Sequence, residues 1–146
     1  MLSKGYSTNF ELARWANKLN LQLVAIVYKD ELFKIPVRTG GFILNMGEMN
    51  SGGTHWIALY IPSTGKYSYY MDSYGTPPPE SVKWYSKKAG KKDIIFNTKQ
   101  IQTLRSNFCG QYSLTFLYYM MKEKGSYQER FNKFLKMFSN NNYNNI

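Results

Sequence analysis

The order of elements legible in this chain predicts an α+β fold: a helix, two strands, a β-hairpin, a second helix, a fifth strand and two closing helices. Three observations carry the prediction. Thr8-Asn9-Phe10-Glu11 has the spacing of a capping box, and Phe10, Leu12, Trp15, Ala16 and Leu19 then recur at helical intervals. Two strand-like runs, His55 to Ile61 and Tyr67 to Asp72, flank Pro62-Ser63-Thr64-Gly65 as the arms of a hairpin. From Cys109 to Met121 the chain is apolar nearly all round, the pattern of a helix at the centre of a fold.

Taken in order, the first helix runs from about Asn9 to Leu19. Leu21 to Tyr28 is aliphatic and β-branched and reads as a strand. A charged, Pro-containing connection leads through Val37-Arg38-Thr39-Gly40 to a short strand, Phe42 to Met46, and the Gly-rich loop Ser51-Gly52-Gly53 precedes the hairpin. If Ser63-Thr64 form a two-residue loop, paired residue numbers total 127 and His55 lies opposite Asp72, with Cβ atoms about 5 Å apart. A loop longer by one residue puts the two on opposite faces unless a bulge corrects the slip. Pro77-Pro78-Pro79-Glu80 leads into a helix over Ser81 to Lys88 that ends near Gly90. Asp93 to Asn97 reads as a strand and Thr98 to Asn107 as a polar connection. Phe131, Phe134, Leu135 and Phe138 mark the last amphipathic helix, and the Asn-dominated Ser139 to Ile146 reads as a flexible tail.

A length of 146 residues suits a single domain, 1–146, with a core of its own, and 43% apolar and 17% aromatic residues exceed what a disordered chain carries. One cysteine cannot close an internal disulfide, and one cysteine with one histidine cannot complete a tetrahedral zinc site, so a reducing compartment and no metal are expected. Met1-Leu2-Ser3-Lys4-Gly5 lacks the apolar run of a signal peptide, and no stretch approaches the ~20 apolar residues of a membrane span. A soluble, non-secreted protein without a membrane partner is expected. A net charge of +10 and a pI near 9.6 attract polyanions, nucleic acid among them.

The single histidine and the single cysteine both sit where covalent catalysis would use them. A free thiol titrates near ~8.5, and a helix N-terminus beside an imidazolium lowers that by several units. Cys109 falls at such a helix start, with Gly110 allowing a close backbone turn so that the Cys109 amide N–H can face a developing oxyanion. His55 is the one imidazole able to take the thiol proton and return it to a leaving amine, and Asp72 is placed to orient the ring and stabilise its charged form.

Gly53-Thr54-His55-Trp56, Asp72-Ser73-Tyr74-Gly75, and Gln102 seven residues ahead of Cys109-Gly110 resemble the adenovirus maturation protease (adenain) superfamily, which the SUMO-processing proteases share. The resemblance runs from about Leu12 to Met121, the seven-residue step from Gln102 to Cys109 resembles the viral branch, and a chain shorter than most cellular members favours a compact viral or mobile-element protease such as those of virophages and Polinton-type elements. It implies a central mixed β-sheet flanked by helices, with the catalytic Cys at the N-terminus of a buried helix. It further implies a His55, Asp72 and Cys109 triad, an oxyanion hole from the Gln102 amide and Cys109, and Trp56 and Gly110 packing about the site. The acid is Asp72 where the adenovirus enzyme has Glu. That enzyme is activated by DNA and by a peptide joined through a second cysteine, which this chain lacks. No cofactor is then needed for the chemistry, and the expected activators narrow to DNA or a noncovalent peptide.

Lys83, Lys87, Lys88, Lys91 and Lys92 cluster ahead of the fifth strand and are candidates to hold nucleic acid, with Trp84 and Tyr85 as candidates to stack on bases. The reading given more weight is a solvated helix face with Trp84 buried beneath it. The leading functional expectation is a monomeric cysteine endopeptidase that cleaves viral capsid or core precursors in a virion or virus factory in the host cytoplasm or nucleus. The alternatives are an isopeptidase acting on ubiquitin or SUMO, and a basic nucleic-acid-binding packaging protein whose Cys and His are structural.

Overall fold

The computed structural model describes residues 8–48, 54–101 and 108–138. The elements are α1 (Asn9–Lys18), β1 (Leu23–Tyr28), β2 (Gly40–Glu48), β3 (Thr54–Ile61), β4 (Tyr67–Met71), α2 (Glu80–Lys88), β5 (Asp93–Phe96), α3 (Cys109–Lys122) and α4 (Tyr127–Lys136). The five strands form one sheet in chain order, with the outer pairs β1–β2 and β4–β5 parallel and the inner pairs antiparallel. The fold is therefore α+β with a mixed central sheet.

The helix boundaries follow from local chemistry. At α1 the Thr8 hydroxyl accepts from the Glu11 N–H at 3.1 Å while the Glu11 carboxylate accepts from the Thr8 N–H at 2.9 Å. Ser126 and Glu129 close the same box at α4. Pro79, with φ fixed at −74°, stands at the N-cap of α2. One element is absent from the sequence reading: a 3₁₀ turn, Lys29–Lys34, within the connection between β1 and β2. Its six residues are too few to show periodicity, and it is held by the Glu31 carboxylate on the Tyr28 N–H at 2.9 Å and by the fully buried Leu32.

Alternation along the strands divides the core. Ile43, Trp56, Ala58 and Met71 face α1, α3 and α4, where Leu12, Leu117, Phe131 and Phe134 complete one apolar layer. Phe42, Leu44, Ile57, Leu59 and Tyr70 face the other side and pack with Leu32, Val82 and Tyr85. Both faces of the sheet are covered, which explains why β2 and β3 read as continuous apolar runs rather than as alternating ones.

The hairpin register differs from the expected one. Ala58 pairs with Met71, Leu59 with Tyr70 and Tyr60 with Tyr69, so paired numbers total 129 rather than 127. The reason lies in the turn. Gly65 takes φ +83°, the chain bends through residues 63–66, and the Lys91 ammonium binds the Thr64 and Gly65 carbonyls at 3.1 and 2.9 Å. A slip of two residues preserves side-chain parity, so His55 and Asp72 stay on one face of the sheet as diagonal rather than direct neighbours.

Candidate active site

Three elements converge at one end of the sheet. His55 is the second residue of β3, Asp72 the first residue past β4, and Cys109 the first residue of α3. His55 and Asp72 share one parity in the extended β3–β4 register, and Cys109 opens α3 in the layer that holds Trp56. All three are buried, at 3%, 1% and 0% exposure, so their interactions are little screened by water.

His55 Nε2 lies 2.7 Å from Asp72 Oδ1. Asp72 is held from several sides: Oδ1 accepts from the Tyr74 N–H at 2.8 Å, and Oδ2 accepts from the Thr76 hydroxyl. Its backbone is clamped by Asn97, whose amide oxygen accepts from the Asp72 N–H at 3.1 Å and whose amide nitrogen donates to the Asp72 carbonyl at 2.7 Å. The same nitrogen donates to the Lys99 carbonyl at 3.0 Å, tying the carboxylate's loop to the exit from β5. An acid fixed in this way presents one oxygen to one ring nitrogen and fixes the imidazole's orientation.

With Nε2 taken by Asp72, Nδ1 is the ring nitrogen left for Cys109. Burial pushes the His55 pKa down, but the Asp72 hydrogen bond and charge, together with the Cys109 thiol, outweigh it and raise the value from 6.5 to about 9. Nδ1 is itself buried and makes no hydrogen bond of ordinary geometry among the described residues. The Cys109 sulfur accepts from the Trp56 backbone N–H at 3.4 Å.

Two residues that sequence reasoning left without a role complete the site. Tyr74 stacks on the His55 ring, with centroids 4.4 Å apart and planes 15° apart. It stands at the number that pairs with His55 when the observed register is extended, a relationship hidden by the two-residue slip. Asn97, read only as the last residue of a strand, is the clamp on Asp72. No local pattern signals it, because its partners lie 25 residues away.

Trp56 and Gly110 are both buried, Trp56 in the layer that contains Cys109 and Gly110 within the first turn of α3. Gly110 is in ordinary helix and not at a positive φ, so no special turn is built on it. Gln102 lies outside the described residues, as do the loop 49–53 and the tail Ser139 to Ile146.

The basic cluster is divided. Lys83, Lys87, Lys88 and Lys92 are exposed, whereas Lys91 is buried with its ammonium committed to the hairpin carbonyls and is not available to phosphates. Trp84 is not beneath the helix, as expected, but 37% exposed. Tyr85 is fully buried, its hydroxyl donating to the Pro36 carbonyl at 2.7 Å and accepting from the Arg38 N–H at 2.9 Å. Helical geometry puts the two aromatics about 100° apart around α2, and the apolar layer takes Tyr85. No helix among the described residues is long and apolar enough to cross a membrane.

The mixed sheet in this order, with α3 opening on the buried Cys109, is a fold shared with solved protease structures. Two crystal structures of the ASFV pS273R protease, one of them of selenomethionine protein, match the chain with TM-scores of 0.59 and 0.58 at 18% and 19% identity. Each match covers 88% of this chain, and the chain spans 62% of the length of those structures. No protein-family model matches the sequence, and no curated protein matches it significantly.

Proposed function

We propose that the chain is a cysteine endopeptidase in which Cys109 is the nucleophile, His55 the general base and acid, and Asp72 the group that orients His55. The observation that supports the reading is the 2.7 Å contact of His55 Nε2 with a firmly held Asp72, which leaves the other ring nitrogen for the only thiol in the chain. The chemistry follows from the raised His55 pKa. Near neutral pH the ring holds a proton, and a thiolate at the mouth of α3 is its natural counter-charge. The thiolate attacks the scissile carbonyl, His55 passes its proton to the leaving amine, and water then hydrolyses the thioester with His55 acting as base. The Cys109 amide N–H at the start of α3 and, by the motif resemblance, the side-chain amide of Gln102 receive the developing oxyanion.

The substrate class rests on the resemblance of the motif set to the viral branch of the superfamily: precursor proteins of a viral particle, cleaved during maturation. The test is digestion of a denatured-proteome peptide library by the wild type and by Cys109→Ser. New termini sharing a sequence preference, produced by the wild type and absent with the variant, support the reading. Equal products from both proteins, or none at any protein concentration with the fold intact, count against it.

A further inference from the structure

The outer surface formed by α2 and the Lys29–Lys34 turn holds a feature that proteolysis does not use. Phe33 and Trp84 are 46% and 37% exposed and lie against each other, with ring centroids 5.2 Å apart and planes at 54°. Two large aromatic rings left in water on the same spot are an unusual expenditure of surface, and such patches mark binding sites. The Lys88 ammonium sits 5.9 Å above the Trp84 ring. Lys87 and Lys88, three and four residues beyond Trp84 on α2, share its side of the helix. Lys34 and Lys83, adjacent in sequence to Phe33 and Trp84, are exposed as well.

The acids nearby are outnumbered on this face: Asp30, Glu31 and Glu80 stand against Lys29, Lys34, Lys83, Lys87 and Lys88. Glu31 accepts from the Tyr28 N–H, Asp30 pairs with Lys29 at 3.2 Å, and Glu80 pairs with Lys83 at 3.6 Å. Lys34, Lys87 and Lys88 remain around the aromatic pair on a chain of net charge +10. Flat rings among uncompensated ammonium groups match one chemistry better than others: unpaired bases that stack, joined by phosphates that bind cations.

We infer that Phe33 and Trp84 form a stacking platform for single-stranded nucleic acid, with Lys34, Lys87 and Lys88 receiving the flanking phosphates. In the free protein Lys88 covers the Trp84 ring. On binding, a base takes that place and the ammonium moves to a phosphate. The site is separate from the His55, Asp72 and Cys109 cluster and does not depend on the protease reading. It differs from the five-lysine cluster suggested by the sequence, since Lys91 and Tyr85 are excluded and Phe33 enters from a different element.

The experiment is fluorescence anisotropy of the whole chain with a labelled oligothymidylate of about 16 nucleotides. The wild type is compared with Trp84→Ala, Trp84→Phe, Phe33→Ala and the double variant Lys87→Gln/Lys88→Gln, each first shown to melt like the wild type. Trp84→Ala weakens binding about 5- to 100-fold with the salt slope unchanged, while Trp84→Phe retains most of the affinity. Losing two phosphate contacts flattens the slope of log K against log salt by about 1.4. A duplex of equal length binds more weakly, because its bases are already stacked. The inference is overturned if Trp84→Ala and Phe33→Ala bind like the wild type, if duplex and single strand bind equally, or if no binding occurs at low salt.

Discussion

Tyr74 lies flat on His55, its ring centroid 4.4 Å from that of the imidazole and the planes 15° apart, while its own backbone N–H binds the carboxylate that fixes the other edge of the same ring. One residue thus touches both the base and its acid. The π face of a phenol ring next to an imidazolium favours the charged state.

Replacing Tyr74 by Leu is expected to lower the His55 pKa by about half a unit to one unit and to slow turnover several-fold, while Phe leaves both near wild type. Because His55 is the only histidine, its ring resonances can be followed by NMR across pH without assignment. Equal titration curves for Leu and wild type would remove the electronic role of the stack.

Asp72→Asn keeps the shape of the site but removes the charge that offsets burial of the imidazolium. The His55 pKa is expected to fall from about 9 toward or below its ordinary 6.5, and kcat/KM to fall on the order of 10²- to 10⁴-fold. The same NMR titration, with steady-state kinetics on a cleaved peptide, checks both numbers.

The raised pKa also links stability to pH. His55 binds its proton more tightly folded than unfolded, so its contribution is fully present below about pH 6.5 and is lost as pH rises through about 9. The shift corresponds to a stabilisation on the order of 3 kcal/mol. With Cys109 replaced by Ser in both proteins, so that no thiol titrates in the same range, urea midpoints of the His55 protein minus those of its His55→Gln variant are expected to decline as pH rises above 6.5, a difference that cancels the groups common to both. A flat difference would contradict the link.

Gly75 closes the turn that carries Asp72 and Tyr74. It sits at φ +79°, and a Cβ there meets the Thr98 oxygen and Lys99 carbonyl carbon at 2.9 Å, both backbone atoms that cannot swing aside. Gly75→Ala is expected to cost about 2 kcal/mol or more and to lower activity by shifting Asp72. Asn97→Ala, which leaves the buried Asp72 backbone without its clamp, is expected to cost about 1–3 kcal/mol. Chemical denaturation of both variants, with activity measured well below the transition, separates the two effects.

What the sequence revealed and what it hid follow from the range of the interactions. The capping box at Thr8, the proline entry to α2 and the all-round apolar face of α3 are local, and the helices start where those signals lie. Lone residues of reactive type, His55 and Cys109, stood out by composition alone. The hairpin register was missed because it is set by a non-local contact, Lys91 on the turn carbonyls, which no reading of the turn residues contains. Asn97 and the pairing of Phe33 with Trp84 were invisible for the same reason: each joins elements remote in sequence. Trp84 and Tyr85 show how adjacent residues of like type divide between solvent and core once the helix has a partner.

The most direct test of the central claim is the rate of iodoacetamide alkylation of Cys109 from pH 4 to 10 in the wild type and in His55→Ala. A thiolate–imidazolium pair predicts a wild-type rate that holds a plateau well below the free-thiol range near ~8.5, and a variant that loses that plateau. A single step near ~8.5 in both proteins would contradict the pair, and with it the assignment of Cys109 as nucleophile and His55 as its base.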